Sequence, residues 1–152
     1  MTEFVVGLML SSDGNEVVLI HKEHGPPCVV GFWNGVGGHV EPGEDPVDAM
    51  CREFKEETGY VTGRLQWHHF ITLTSDPEQV DEPRRARVYF YFARDDEAVR
   101  RVETQTDEEV ETFETFDLPS MTMPNIRWMI PFILDASCKK FLGELEFTNA
   151  TY

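Results

Sequence analysis

Between residues 38 and 60 the chain reads Gly-His-Val-Glu-Pro-Gly-Glu-Asp-Pro-Val-Asp-Ala-Met-Cys-Arg-Glu-Phe-Lys-Glu-Glu-Thr-Gly-Tyr. Glu44, Arg52, Glu53, Glu56 and Glu57 are crowded between Gly38 and Gly59. Carboxylates at this density repel one another unless a cation sits among them. Hard oxygen donors on one rigid element suit Mg²⁺ or Mn²⁺, which favour carboxylate, water and phosphate oxygen. The chemistry expected here is therefore metal-assisted chemistry on phosphate, with Mg²⁺ as cofactor and Mn²⁺ as a substitute.

The element that must position these groups is a helix. Asp45 can cap it, Pro46 suits its first turn, and Gly59 suits the position just past its last. The spacing predicts a helix over 46–58. At about 100° per residue, Glu53 lies about 40° from Glu57 and about 60° from Glu56, so three carboxylates share one side. Val47, Met50 and Phe54 fall at i, i+3 and i+7 on another side, available to a core. Arg52 stands four residues before Glu56 and can pair with it or orient a neighbouring carboxylate.

With its flanking glycines, the segment resembles the Nudix box. That pattern is Gly, five residues, Glu, seven residues, Arg-Glu, an aliphatic or aromatic residue, one residue, Glu-Glu, one residue, Gly and a large apolar residue. Gly38, Glu44, Arg52, Glu53, Phe54, Glu56, Glu57, Gly59 and Tyr60 fill every specified position. The resemblance implies a hydrolase that cleaves a nucleoside diphosphate linked to another group with divalent cations. It implies a Nudix-type α/β/α sandwich with a mixed β-sheet. It also implies metal ligands at Glu53, Glu56 and Glu57, with Gly37 beside them. Catalytic roles are implied for Glu53 (the in-box candidate for the base), Glu56, Arg52 (orienting the glutamates) and Glu44 (supporting them). Gly37 and Gly38 would let backbone approach the phosphates. The family often adds an acidic residue from a later loop; Glu108 is the candidate, with Glu109 close behind.

The words before the box, Phe32-Trp33-Asn34-Gly35-Val36-Gly37-Gly38, are similar to the MutT-related branch that hydrolyses oxidised purine nucleoside triphosphates such as 8-oxo-dGTP. Trp33 and Asn34 can stack on a base and bond its edge; equally, Trp33 can be core and Asn34 can hold a turn. Met123-Pro124-Asn125, Trp128, Pro131-Phe-Ile-Leu and Lys139-Lys-Phe-Leu-Gly143 resemble the end of that branch. The chain departs from it at His39, where the branch has Lys. It departs again at Met123, Asn125 and Ile126, where the oxidised-purine enzyme has a tryptophan and paired aspartates. The substrate-binding candidates are Trp33, Asn34, Gly38, His39 and Asn125. The first reading is a nucleoside triphosphate pyrophosphohydrolase acting on unmodified or oxidised nucleotides and releasing a monophosphate and pyrophosphate. Rival substrates are ADP-ribose, a nucleotide sugar or a dinucleoside polyphosphate, with Pro77 as slight support for ADP-ribose. A non-catalytic nucleotide-binding module is the remaining alternative, although such relatives tend to lose box glutamates and this chain has kept them.

The remainder of the chain fits one domain. Its 152 residues suffice for a single core. With 28 acidic residues against 13 basic, the net charge is −15, which argues against nucleic acid or an anionic membrane as a main partner. The expected partner is a small-molecule nucleotide, with monomer and homodimer both open. Cys28, Cys51 and Cys138 are odd in number and match no disulfide framework or zinc site, and Cys51 reads as packing. The start lacks a basic region followed by a cleavable apolar core, and no apolar run can span a bilayer, so a soluble cytoplasmic protein is expected. His21, His24, His68 and His69 read as surface or strand residues.

Strands are expected at 4–10, 16–21, 65–74, 86–93, 109–116 and 141–147, with short extended pieces in 31–40. Residues 75–85 read as a charged loop and 94–108 as a polar stretch. A helix is expected over 125–139, kinked or restarted at Pro131. Two helices on opposite sides of a sheet give the α/β layering.

Overall fold

The computed structural model describes residues 1–75 and 85–135 in full, and the backbone of 143–147. The segment 16–21 shows why a sheet lies between two layers. Val17, Val18, Leu19 and Ile20 are successive and all buried. A strand exposes alternate residues on opposite faces, so this run requires cover on both. Val18 and Ile20 join one core, and Val17 and Leu19 join the other.

The elements run β1 (Thr2–Leu10), β2 (Glu16–His21), β3 (Trp33–Asn34), β4 (Val36–His39), α1 (Pro46–Thr58), β5 (His68–Ser75), β6 (Ala86–Arg94), α2 (Asp96–Arg101), β7 (Val110–Glu114), α3 (Pro124–Leu134) and β8 (Gly143–Phe147). One mixed sheet has the order β3-β2-β1-β6-β5-β8, with β4 also paired to β1 and β7 to β2. β1 lies parallel to β6 from Thr2↔Ala86 to Leu10↔Arg94, and β5 lies parallel to β8. The other pairs are antiparallel.

Along β1 the period of two assigns Val5 and Met9 to the α1 side, with Leu8 and Leu10 on the α3 side. α1 supplies Ala49, Met50 and Phe54 to the first core, and α3 supplies Ile126, Met129, Ile130 and Ile133 to the second. Each fully buried side chain of this size contributes about 1.5–3 kcal/mol, so the two helices are fastened to opposite faces. The result is the α/β/α sandwich with a mixed sheet expected from the sequence.

Several boundaries moved. The strand expected from Leu65 begins at His68. Arg64–Gln66 form a 3-10 turn in which Leu65 is 94 % exposed. Trp67 ends that turn, buried, with Nε1–H donating to Thr62 Oγ1 at 2.8 Å. The polar stretch 94–108 contains α2, capped by Asp95, which accepts from the Glu97 and Ala98 N–H groups. Only Ala98 and Val99 of its six residues are buried, too few to give an apolar period. α3 runs without a restart through Pro131 to Leu134. Pro131 removes a donor to the Arg127 carbonyl, but both residues lie on the exposed face, where water can serve that carbonyl. Of the strand expected at 141–147, the described part, β8, is Gly143–Phe147. Pro77, Cys138 and Lys139–Leu142 lie outside the described residues, as do most of the expected loop 75–85 and the end of the expected helix.

Candidate functional site

α1 spans Pro46–Thr58 as its capping residues predict. The Asp45 side chain accepts the Val47 N–H, and Gly59 adopts a left-handed φ of 76° that a side chain would resist. Met50 and Phe54 point into the core. The opposite side therefore turns Arg52, Glu53, Glu56 and Glu57 towards the loop after β4 and the segment before β7.

Arg52 is the centre of this cluster. Its Nε–H and Nη2–H donate to Glu44 Oε2 and Oε1, each at 2.9 Å, in a bidentate pair. Nη1–H donates to Glu53 Oε1 at 2.9 Å and reaches Glu56 Oε2 at 3.3 Å. Nη2–H also donates to the His39 carbonyl at 2.9 Å. The hydrogen bonds it donates to Glu44, with the bond to Glu53 and that residue's charge, hold the guanidinium pKa above its already high ordinary value. Arg52 in turn lowers the Glu44 carboxyl below the usual range. Burial pushes Glu53 the other way, upward, even though Arg52 opposes it.

Gly38 completes the geometry. A Cβ built there would lie 2.4 Å from the Glu53 carboxyl carbon and 2.5 Å from both its oxygens. Glu53 therefore rests directly on the Gly38 backbone. At Gly37 a Cβ would lie 1.8 Å from the Val5 carbonyl oxygen. The close approaches that require these two glycines are to the protein's own Glu53 and β1, a reason different from the phosphate approach expected above.

Glu57 faces another group. The Thr106 hydroxyl donates to its Oε2 at 3.0 Å. Burial raises the Glu57 pKa, Thr106 opposes the shift, and the negative charge of Glu108 adds to it. Glu108 is itself buried, at 5 % exposure. Its Oε1 accepts from Lys22 Nζ at 2.8 Å, and its Oε2 accepts from the N–H groups of Glu23 at 2.7 Å and His24 at 3.2 Å. Burial alone would raise Glu108, but these donors outweigh it and hold the carboxyl below the ordinary range. Glu109 is exposed, and its carbonyl accepts the His21 N–H.

Glu108 thus ties the end of β2 to the loop before β7. Replacing it with alanine strands Lys22 and two backbone donors and is expected to cost about 2–4 kcal/mol. Glutamine, which keeps an acceptor oxygen, should cost less. Because the folded pKa is depressed, this contribution is present above the ordinary glutamate range and lost as pH falls through the folded value. Denaturant unfolding should show the gap between wild type and Glu108→Ala narrowing in acid; a pH-independent gap, or none, would contradict the assignment.

The candidate base-binding residues lie across the sheet. Trp33 is half-buried, edge-on to Phe113 at 4.8 Å between ring centres and tilted against His21 at 5.1 Å. The Asn34 Oδ1 accepts the Gly35 N–H at 2.8 Å, a local turn bond. Both observations match the core-and-turn alternative for this pair. Trp33 also fixes the approach to α3. Its N–H donates to the Met121 carbonyl at 2.7 Å, and its carbonyl accepts the Met123 N–H at 2.9 Å. Two residues on, Asn125 Oδ1 is buried and has no hydrogen-bond partner among the described residues. A buried acceptor without a donor is costly, and a ligand N–H would satisfy it. His39 is exposed, with its ring against Phe4 at 4.5 Å. Cys51 packs against the α1-side core, and burial pushes its thiol pKa up.

The structure therefore brings together Gly38, Glu44, Arg52, Glu53 and Glu56. Glu57 and Glu108 lie beside them, while Trp33 and Asn125 form a separate group around the start of α3. Lys22 and Thr106 were not singled out from the sequence. Their partners are 86 and 49 residues away, and neither carries a local signal.

Among the described residues, no three His, Cys, Asp or Glu side chains are already gathered as a metal site. The donor set nevertheless fits a hard divalent cation. Glu53 and Glu57 are both carboxylates for which burial makes negative charge costly, and Glu56 stands exposed on the same helix side. A cation would relieve that cost.

The NUDIX domain model matches residues 1–134. Oxidized purine nucleoside triphosphate hydrolase of Mus musculus is 28 % identical over 146 residues, covering 93 % of this chain and 85 % of that protein. NAD-capped RNA hydrolase NUDT12 of Homo sapiens is 33 % identical over 63 residues. That covers 41 % of this chain and only 13 % of that protein's length. Among solved structures, the Mutator MutT protein from Bacillus halodurans superposes with a TM-score of 0.67 at 18 % identity, covering 98 % and 92 % of the two chains. The NUDIX domain of Shewanella oneidensis NrtR, in complex with ADP ribose, gives 0.67 at 16 % identity, covering 85 % and 83 %. At these identities the two structures speak for the fold. With the box positions assembled on α1 and the domain matched over most of its length, the chain belongs to the Nudix family, whose members are hydrolases acting on the pyrophosphate bonds of nucleotide-linked substrates.

Proposed function

We propose that residues 1–152 act as one domain that hydrolyses nucleoside triphosphates, unmodified or oxidised, to a monophosphate and pyrophosphate in the presence of Mg²⁺. The observation that carries this reading is the row Glu53, Glu56 and Glu57 on α1, braced by Arg52 and Glu44. Similarity over 93 % of this chain to a protein named for oxidised purine nucleoside triphosphates supports the triphosphate assignment. So does the orphaned Asn125 acceptor beside the segment that pairs with Trp33.

Glu53, Glu56 and Glu57, with Gly37 adjoining, would hold the cation. When bound, Mg²⁺ or Mn²⁺ supplies charge neutralisation for the diphosphate and makes a water proton easier to remove. Arg52 fixes the rotamers of Glu53 and Glu56 by donating to both from one nitrogen, and Glu44 fixes Arg52 in turn. Glu53 is the candidate for accepting the proton from the attacking water, since burial raises its pKa and makes the carboxylate a stronger base than an ordinary glutamate. Asn125 Oδ1 would accept an N–H from the base edge.

Turnover of a panel of dNTPs, NTPs, oxidised purine triphosphates, ADP-ribose, nucleotide sugars and dinucleoside polyphosphates, with product identification by chromatography, tests the proposal. Monophosphate and pyrophosphate from a triphosphate are expected. Exclusive cleavage of ADP-ribose would move the chain to the rival substrate, and no turnover of any compound in Mg²⁺ or Mn²⁺ would defeat the enzymatic reading.

A further inference from the structure

Glu57 is the last residue but one of α1, where the loop 102–109 folds across it. The Glu103 N–H donates to the Thr58 carbonyl at 3.0 Å, and a Cβ at Gly59 would meet the Gln105 amide nitrogen at 2.9 Å. Next in the loop, the Thr106 hydroxyl donates to Glu57 Oε2 at 3.0 Å, while its oxygen accepts the Glu108 N–H at 3.1 Å. A hydroxyl has one proton. Because a carboxylate can only accept, that proton is committed to Glu57, and the N–H of Glu108 holds the Thr106 oxygen from behind. Glu108 in turn is pinned by Lys22 and two backbone donors. The chain of bonds therefore runs from a buried anchor, through one exposed threonine, to a carboxylate of the α1 row.

We infer that Thr106 is a positioning residue: its hydroxyl, held between Glu57 and the Glu108 backbone, fixes the Glu57 carboxylate so that its other oxygen is presented to a divalent cation. The inference rests on the metal-dependent reading above. Partners that orient a ligand carboxylate typically change metal affinity by 10–100-fold when removed. Thr106 is exposed, and without its hydroxyl the loop loses the Glu108 N–H bond but keeps the Glu103–Thr58 bond and the three bonds to the Glu108 carboxylate, so the loop stays anchored.

The experiment is a titration of the metal-free protein with Mn²⁺ alone, followed by electron paramagnetic resonance of the free ion. It compares wild type, Thr106→Val, Thr106→Ala, Thr106→Ser and Glu57→Gln, with thermal unfolding of each metal-free protein as the control. Thr106→Val and Thr106→Ala are expected to weaken Mn²⁺ binding by about tenfold, with only a small drop in melting temperature from the lost Glu108 N–H bond, and Thr106→Ser to restore most of both. The half-saturating Mg²⁺ concentration for turnover should rise in the same order, while KM for nucleotide at saturating Mg²⁺ stays constant. Unaltered Mn²⁺ affinity in the valine and alanine variants, or no rescue by serine, would overturn the role of Thr106 and leave the metal-dependent reading standing. Absence of Mn²⁺ uptake by the wild type, or a Glu57→Gln protein that binds like it, would overturn the metal assignment at this carboxylate and the inference with it.

Discussion

Replacing Glu56 with glutamine is expected to lower kcat by about 10²- to 10³-fold, the range found when one preorganised electrostatic contributor is removed from an active site. The metal-free protein should melt at the wild-type temperature. The Glu56 side chain is 55 % exposed, and Arg52 donates to it at 3.3 Å. An exposed pair at this helical spacing is worth a few tenths of a kcal/mol. Its loss is offset by easing repulsion within a row that also holds Glu53 and Glu57. Arg52 keeps its bidentate bond to Glu44 and its bond to Glu53, so the scaffold of the site survives. The separation of the two readouts is the point of the experiment. Added Mg²⁺ should raise the melting temperature of the wild type, because a ligand that binds only the folded state stabilises it, and should raise that of Glu56→Gln less. Calorimetry with and without Mg²⁺, alongside steady-state kinetics, gives both readouts. Undiminished turnover would remove Glu56 from the machinery, and a parallel collapse of stability would make its role structural.

The second large effect concerns two adjacent glycines that should fail in different ways. A Cβ at Gly37 would stand 1.8 Å from the Val5 carbonyl oxygen and 2.9 Å from the Val6 Cα. Both are backbone atoms of the central strand β1, which is locked to β4 and along its whole length to β6. Neither can yield without parting the ladder. Gly37→Ala is therefore expected to cost more than about 3 kcal/mol, a large fraction of a typical domain's stability. For a chain of this size that is a drop in melting temperature of roughly 6–12 °C. At Gly38 the obstacle is the end of the Glu53 side chain, 2.4 Å away. A side chain can swing aside, so Gly38→Ala should cost only about 1 kcal/mol. The displaced carboxylate is the one Arg52 holds, however, and a misplacement of about 1 Å in a reacting constellation can cost 10²-fold in rate. Circular dichroism melts and assays run well below each melting temperature distinguish the two. Equal losses of stability at both positions would contradict this division.

The box helix was legible because its determinants are local. Asp45, Pro46 and Gly59 set its ends within one turn of themselves, and Met50 and Phe54 set its inward face by spacing alone. Strand β2 was legible for the same reason, since four consecutive apolar residues admit cover on both faces. α2 was not, because two buried side chains carry no period. The early end of the Leu65 pattern was hidden because alternation cannot reveal that Leu65 points into solvent while Trp67 finds Thr62.

The sequence by itself determined that three carboxylates and an arginine share one side of a single helix, since that depends only on the helical repeat and its caps. Only the tertiary structure decided what meets them. It laid Glu53 on Gly38, closed Arg52 on Glu44 across eight residues, and brought Thr106 and Glu108 from the far side of the chain to Glu57 and Lys22. Those contacts arise from the order in which strands add to the sheet and from which face each helix covers. No window of neighbouring residues contains that information.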